Sequence, residues 1–308
     1  MNVLNKVKQY INDIFGPDAA QKKINECINN PGPSNQAFLE LSHMDLKELP
    51  TNLDKLPISI YYLFVGNNFL KKLPSNISSS IRSLSCNNNQ ITELPLNLPS
   101  LLVDLNCSNN MLTKFPSNLP ISIRFLNCQN NQLVEFPSNL PALRQLCCGS
   151  NKLTTLPSNF STSLKDLYCN NNQLVDLPFN LPASLQKLHC NNNCLKQLPH
   201  NLPISLEQLY CKNNQLTELP FNLPDTLEIV VCHGNKYLHI PKKYAKRFGL
   251  SKTPNYNQKA SYIQQIWRVK KYKHIMITMI HDNNNMLSDC FKSYGDLNII
   301  HLIIQFVY

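Results

Sequence analysis

The sequence predicts a repeat solenoid: a stack of short parallel strands with extended return segments behind it and helices at both ends. Three observations carry this reading. Cysteines recur at a fixed step, an asparagine follows each at a constant distance, and paired prolines punctuate the stretches between them.

Cys86, Cys107 and Cys128 are 21 residues apart, as are Cys148, Cys169, Cys190, Cys211 and Cys232; only the step from Cys128 to Cys148 is 20. Three residues after each cysteine stand Asn89, Asn110, Asn131, Asn151, Asn172, Asn193, Asn214 and Asn235. Val65 and Asn68 supply the same pair one unit earlier. Leu41 and Met44 fill these slots in a degenerate first unit, which is followed by three inserted residues. The consensus is L-x-x-L-x-C-x-x-N-x-L-x-x-L-P-x-N-L-P-x-S, and ten units run from about Phe38 to Pro241. A fixed short period is the signature of a solenoid. Asparagine, at 43 of 308 residues, is the compositional outlier, and its regular spacing separates this chain from an irregular Asn-rich tract.

Each column has a physical task. In L-x-C the apolar residues alternate, the period of a short strand with one buried face. Leu84 and Cys86 point inward, as do Leu105 and Cys107. Parallel strands stacked at the usual spacing place the ten units along roughly 43 Å of concave sheet. The asparagine turns inward where the chain leaves the strand. Its amide both donates and accepts, so it can satisfy backbone groups of its own turn and of a neighbour. The returns hold 17 of the 21 prolines, a density that forbids helix and favours an extended, polyproline-like convex side.

The pattern L-x-x-L-x-C-x-x-N-x-L-x-x-L-P resembles the leucine-rich-repeat signature over about two thirds of the chain. The LPxNLP return is similar to the short repeats of bacterial effector proteins. The Asn-rich wording resembles leucine-rich-repeat proteins of giant DNA viruses of amoebae. The resemblance implies a leucine-rich-repeat horseshoe acting as an interaction module, with a host or viral protein as partner. Some similar effectors carry a ubiquitin-ligase domain with a Cys-x-Asp nucleophile after the repeats. Here the sole tail cysteine, Cys290, has no aspartate two residues on, and a ligase is not expected.

The cysteine column admits a metal ladder, a redox relay or simple core filling. Because each cysteine stands where Leu41 and Val65 stand earlier, core filling is the expected role. His189, Cys190 and Cys194 sketch a metal site, but alternation turns His189 and Cys190 to opposite faces of the sheet. The chain opens without a signal-peptide pattern and holds no apolar run of membrane-spanning length. A cytoplasmic protein with reduced thiols is therefore expected. Phosphate-loop, hydrolase-triad and H-E-x-x-H patterns are absent, so no catalytic residue, metal or cofactor is assigned.

Function falls to the strand positions facing outward. The central concave column reads Phe64, Ser85, Asn106, Asn127, Cys147, Tyr168, His189, Tyr210 and Val231. Its N-terminal half is small and polar. In the C-terminal half Tyr168, His189 and Tyr210 form an aromatic stripe flanked by Asp166, Lys187 and Lys212. Aromatic side chains dominate binding hot spots, although tyrosine and histidine also suit a strand for its own sake. These six residues are the candidate partner-binding site.

The remaining chain divides into a helical N-terminal cap, residues 1–37, and a basic, mainly helical C-terminal cap or tail, residues 242–308. In the N-terminal cap one helix spans residues 2–15, and a second begins at Asp18 as N-cap and reaches about Ile28. The tail holds eleven Lys/Arg against three Asp, a charge of +8 out of the whole chain's +10, whereas the repeats hold 14 against 13. This distribution disfavours nucleic acid along the concave face. Within the tail, Ile263, Gln264, Arg268, Val269 and Lys273 resemble the IQ motif of calmodulin targets, with Val269 where that motif has glycine. The segment reads as a cap helix, a target for a calmodulin-like or other protein, or a patch for nucleic acid or anionic membrane. Its alternative to the concave face is an adaptor that works through the tail. Deleting residues 258–308 separates these roles. An adaptor tail loses partner capture with the repeats still folded, whereas a cap loses the circular-dichroism signature of the repeats.

Overall fold

The computed structural model describes residues 16–29, 37–50 and 52–250. The chain divides into two compact units after Gly249, and the account below concerns the first. The predicted helix over residues 2–15 and the IQ-like segment lie outside the described residues.

Ten three-residue strands form one sheet. They are β1 (Phe38–Glu40), β2 (Tyr62–Phe64), β3 (Ser83–Ser85), β4 (Asp104–Asn106), β5 (Phe125–Asn127), β6 (Gln145–Cys147), β7 (Asp166–Tyr168), β8 (Lys187–His189), β9 (Gln208–Tyr210) and β10 (Ile229–Val231). They stack in chain order, each parallel to the next. Register is strict: the middle residues Leu39, Leu63, Leu84, Leu105 and Leu126 pair with one another down the stack. These leucines are buried together with the residue after each strand, Leu41, Val65 and then cysteine from Cys86 to Cys232, so the cysteine column is core, as its place in the Leu41 and Val65 column predicts.

The asparagine column does what its chemistry allows. Asn110 Nδ2 donates to the carbonyls of Cys107 (3.1 Å) and Ser108 (3.2 Å) in its own unit and of Cys86 (3.0 Å) in the unit before. Its Oδ1 accepts from the Ile91 amide at 2.9 Å. The same reach across one unit boundary recurs from Asn68 to Asn235. The residue before each spine asparagine has a different task. Asn67, Asn88, Asn109, Asn130, Ser150, Asn171, Asn192 and Asn213 adopt left-handed φ of 52–55°. Asparagine tolerates this region better than other side-chain-bearing residues. Several of these side chains also bond along the stack, as Asn88 to Asn67 and Asn130 to Asn109 at 2.8 Å. Gly234 takes over this slot in the last unit at φ 76°, where a Cβ would meet Asn213 Oδ1 at 1.9 Å.

Among the described residues the returns are helix-free apart from a single 3-10 turn, Leu53–Lys55, formed where the three extra residues enter the first unit. Most close with a turn in which the residue three after the proline donates back to it, as Leu102 to Pro99 (3.0 Å) and Leu206 to Pro203 (3.0 Å). A hydroxyl in that turn then bonds carbonyls of the preceding unit: Ser122 to Leu102 (2.6 Å), Ser184 to Leu164 (2.7 Å) and Thr226 to Leu206 (2.9 Å). The unit of 20 residues drops this hydroxyl, because Leu143 donates to Pro141 across a turn one residue shorter (2.8 Å). The carbonyls left over, Ile121 and Ile123, are met instead by the Arg124 guanidinium at 2.8 and 3.0 Å.

At the N-terminal end helix α1 (Pro17–Asn29) buries Ala19, Ala20, Ile24 and Cys27. Its first amide bond is accepted by Gly16, not by an Asp18 cap (Ala20 N to Gly16 O, 3.0 Å). Pro17 is suited to the first helical position, and Asp18 stands in the first turn, where the helix dipole favours it. Lys23 Nζ reaches the Glu40 carbonyl on β1 at 3.2 Å. At the other end lies helix α2 (Lys242–Phe248), ended by Gly249 in left-handed conformation. Its Tyr244 hydroxyl accepts from the Leu223 amide at 3.0 Å and donates to the Phe221 carbonyl. Arg247 Nη2 bonds the carbonyls of Pro224, Asp225 and Leu227 at 2.8–3.1 Å, the place the next hydroxyl would fill.

The two adjacent asparagines give a contrasting pair of expectations. Asn110→Ala strands four buried backbone groups and lowers stability in urea denaturation by about 3 kcal/mol or more. Asn109→Gly keeps the left-handed turn and costs under about 1 kcal/mol, while Asn109→Val costs about 1–2 kcal/mol in strain.

Candidate binding face on the concave sheet

Alternation along each strand leaves two side chains on the concave face, and register sets them in continuous columns. Tyr168, His189 and Tyr210 are direct neighbours on β7, β8 and β9. Their ring centroids are 4.6 Å apart (Tyr168 to His189, edge-on) and 4.2 Å apart (His189 to Tyr210, tilted), and each residue is half-buried. In the parallel column Lys187 Nζ lies 3.4 Å from Asp166 Oδ1, a partly exposed ion pair. Such a pair is worth at most about 1 kcal/mol. Lys212 lies just beyond the end of β9, two residues after Tyr210. Its charge, after burial, is the second cause that lowers the pKa of His233. Register and contact thus bring Tyr168, His189, Tyr210, Asp166 and Lys187 together on β7 to β9, with Lys212 in the turn that follows.

A second feature of the face lies in the half that reads as small and polar. Between Phe64 on β2 and Phe125 on β5, the short side chains of Ser83, Ser85, Asp104 and Asn106 leave a recess of about 360 Å³. Asn127, Gln145 and Cys147 extend its lining. Asp104 is exposed as a residue, yet the walls around its carboxyl remove enough water to raise its pKa above the ordinary aspartate value. The sequence contains the cue, two small units between two phenylalanines in one concave strip, but polarity alone does not distinguish a recess from a flat surface.

The thiols divide by face. Burial pushes Cys86 up to about 12 and carries Cys107, Cys128, Cys169, Cys190 and Cys211 well above the ordinary thiol value. Cys147, turned to the concave side, is raised to about 11, chiefly by burial and despite a bond from Gln145 at 3.6 Å. His189 stands on the concave face while Cys190 is wholly interior, so the two do not converge. Among the described residues no three His, Cys, Asp or Glu gather as metal ligands, and no helix is long and apolar enough to cross a membrane.

In-register short strands, an asparagine ladder and helix-free returns together define a leucine-rich-repeat solenoid. Among solved structures the chain is similar to a leucine-rich-repeat protein of Leptospira interrogans, at 29% identity and a TM-score of 0.62 over 68% of this chain. It spans 57% of that protein's length. It is also similar to the leucine-rich-repeat domain of APL1B, at 22% identity and a TM-score of 0.54, covering 66% of this chain and 62% of that one. A third likeness is to the LRIM1/APL1C complex, at 20% identity and a TM-score of 0.51, covering 87% and 61%. No protein-family model and no curated protein sequence matches the chain. The chain has the leucine-rich-repeat fold, a general scaffold for protein interaction.

Native-state alkylation tests the division of the thiols. Among the described cysteines, iodoacetamide at about pH 8 modifies Cys147 and Cys194 first and spares the interior column until the protein unfolds. Peptide mass mapping reads the order.

Proposed function

We propose that this protein is a non-catalytic scaffold that holds a protein partner against its concave face, with the stripe Tyr168, His189 and Tyr210 as the principal contact. The observation that carries the proposal is the mutual packing of these rings on adjacent strands. Side chains already ordered by their neighbours lose little conformational freedom on binding, and aromatic anchors supply large contact area. Asp166 and Lys187 flank the rings with paired charge that a partner can meet at its rim. Lys212 adds a cation at the edge of the patch. The thiols of the repeats suit a reducing compartment, and we place the protein in the cytoplasm.

Replacing Tyr168, His189 and Tyr210 together with alanine is expected to weaken capture of the partner from the natural cellular context by about 30-fold or more. Because these side chains lie outside the leucine and asparagine columns, the variant keeps the far-UV circular dichroism of the parent. Undiminished capture by the folded variant overturns the assignment of the stripe.

A further inference from the structure

We propose that the concave recess between Phe64 and Phe125 is a subsite for an arginine or lysine side chain of a bound peptide segment, with Asp104 receiving the cation. The inference rests on the concave-face reading above and adds a recognition element distant from the aromatic stripe.

Charge complementarity points to this occupant. Among the described residues the ion pairs are Lys187 with Asp166 and Arg247 with Asp225, so Asp104 stands without a cationic partner. By register it faces Ser83 on β3 and Phe125 on β5, neither of which carries charge. The other titratable group of the recess, Cys147, is a neutral thiol at physiological pH. Two arginines stand at the heads of the flanking strands, and both are engaged elsewhere. Arg82 lies over the Tyr61 ring at 5.3 Å, and Arg124 is bonded to the carbonyls of Ile121 and Ile123. A carboxylate in a partly dried recess with no compensating cation gains most from a ligand that brings one.

The hydrogen-bonding groups beside it suit a peptide. Asn106 Oδ1 is taken by Ser108, from its amide at 3.2 Å and its hydroxyl at 2.8 Å. Asn127 Oδ1 accepts from the Gln129 amide at 3.3 Å. With Oδ1 engaged, Nδ2 is the group each asparagine has left to offer main-chain carbonyls of an extended segment. Phe64 and Phe125 supply ring surface, which attracts cations and guanidinium most of all. The recess thus offers a carboxylate for the side chain, amides for the backbone and aromatic walls for the aliphatic stem.

The test uses the full chain and capped Gly-Arg-Gly, Gly-Lys-Gly and Gly-norleucine-Gly peptides, followed by nuclear magnetic resonance of the Asn106 and Asn127 side-chain amides. The arginine and lysine peptides are expected to shift these resonances saturably, and the norleucine peptide is not. Asp104→Asn weakens the cationic peptides by about tenfold or more, with no loss in thermal stability because the carboxylate it replaces is unpaired. Affinity in the parent falls on acidification through the Asp104 pKa, at a pH above the ordinary aspartate range, since only the ionised carboxyl attracts the cation. In Asp104→Asn the affinity is flat over that range. Equal response to norleucine, no saturable response to arginine and lysine, or an Asp104→Asn variant that binds like the parent each overturns the subsite. Partner capture that survives such a result, yet is lost in the stripe variant, removes the subsite and leaves the scaffold function standing.

Discussion

The fold depends on one hydrogen-bonded group, the spine asparagine that ties each unit to the one before it. A strand of three residues cannot stand alone, and a unit of 21 residues has too little interior to close on itself. Asn110 spans the gap by satisfying carbonyls on both sides of a unit boundary while its oxygen holds Ile91. Leucine and cysteine then fill the space that this ladder defines. Burial supplies most of the favourable free energy, but the amide sets the register in which burial occurs.

Much of this architecture is legible in the chain because every task is assigned to a fixed column. The strands, the inward leucines and cysteines, the inward asparagine and the helix-free return all follow from spacing and residue chemistry. The C-terminal aromatic residues are legible as a concave column for the same reason. What spacing leaves open is depth. The recess at Asp104 arises from the volumes of side chains on four consecutive strands, Phe64, Ser85, Asn106 and Phe125, and no single column announces it. The helix start at Pro17 instead of Asp18 is a local case of two acceptable starts one residue apart.

The concave face thus carries two unlike surfaces on one rigid frame. One is a half-buried run of rings flanked by the ion pair of Asp166 and Lys187, and the other is a recess whose only carboxylate is unpaired. Both are built from outward positions, which the core columns do not constrain. A solenoid can therefore vary its recognition chemistry unit by unit while its stability is settled on the opposite side of the same strands.

Arg124 shows how far that separation extends on the convex side. The hydroxyl that stitches most returns to the one before is missing where a unit is one residue short, and the guanidinium two residues after Ser122 closes that seam. The short unit and the arginine before it are thus a lesion and its suppressor within one chain. Arg124 takes up the two carbonyls that the missing serine would otherwise have met. A restored residue between Ala142 and Leu143 would release the side chain from duty, in the way that Arg247 serves where the stack runs out of units altogether.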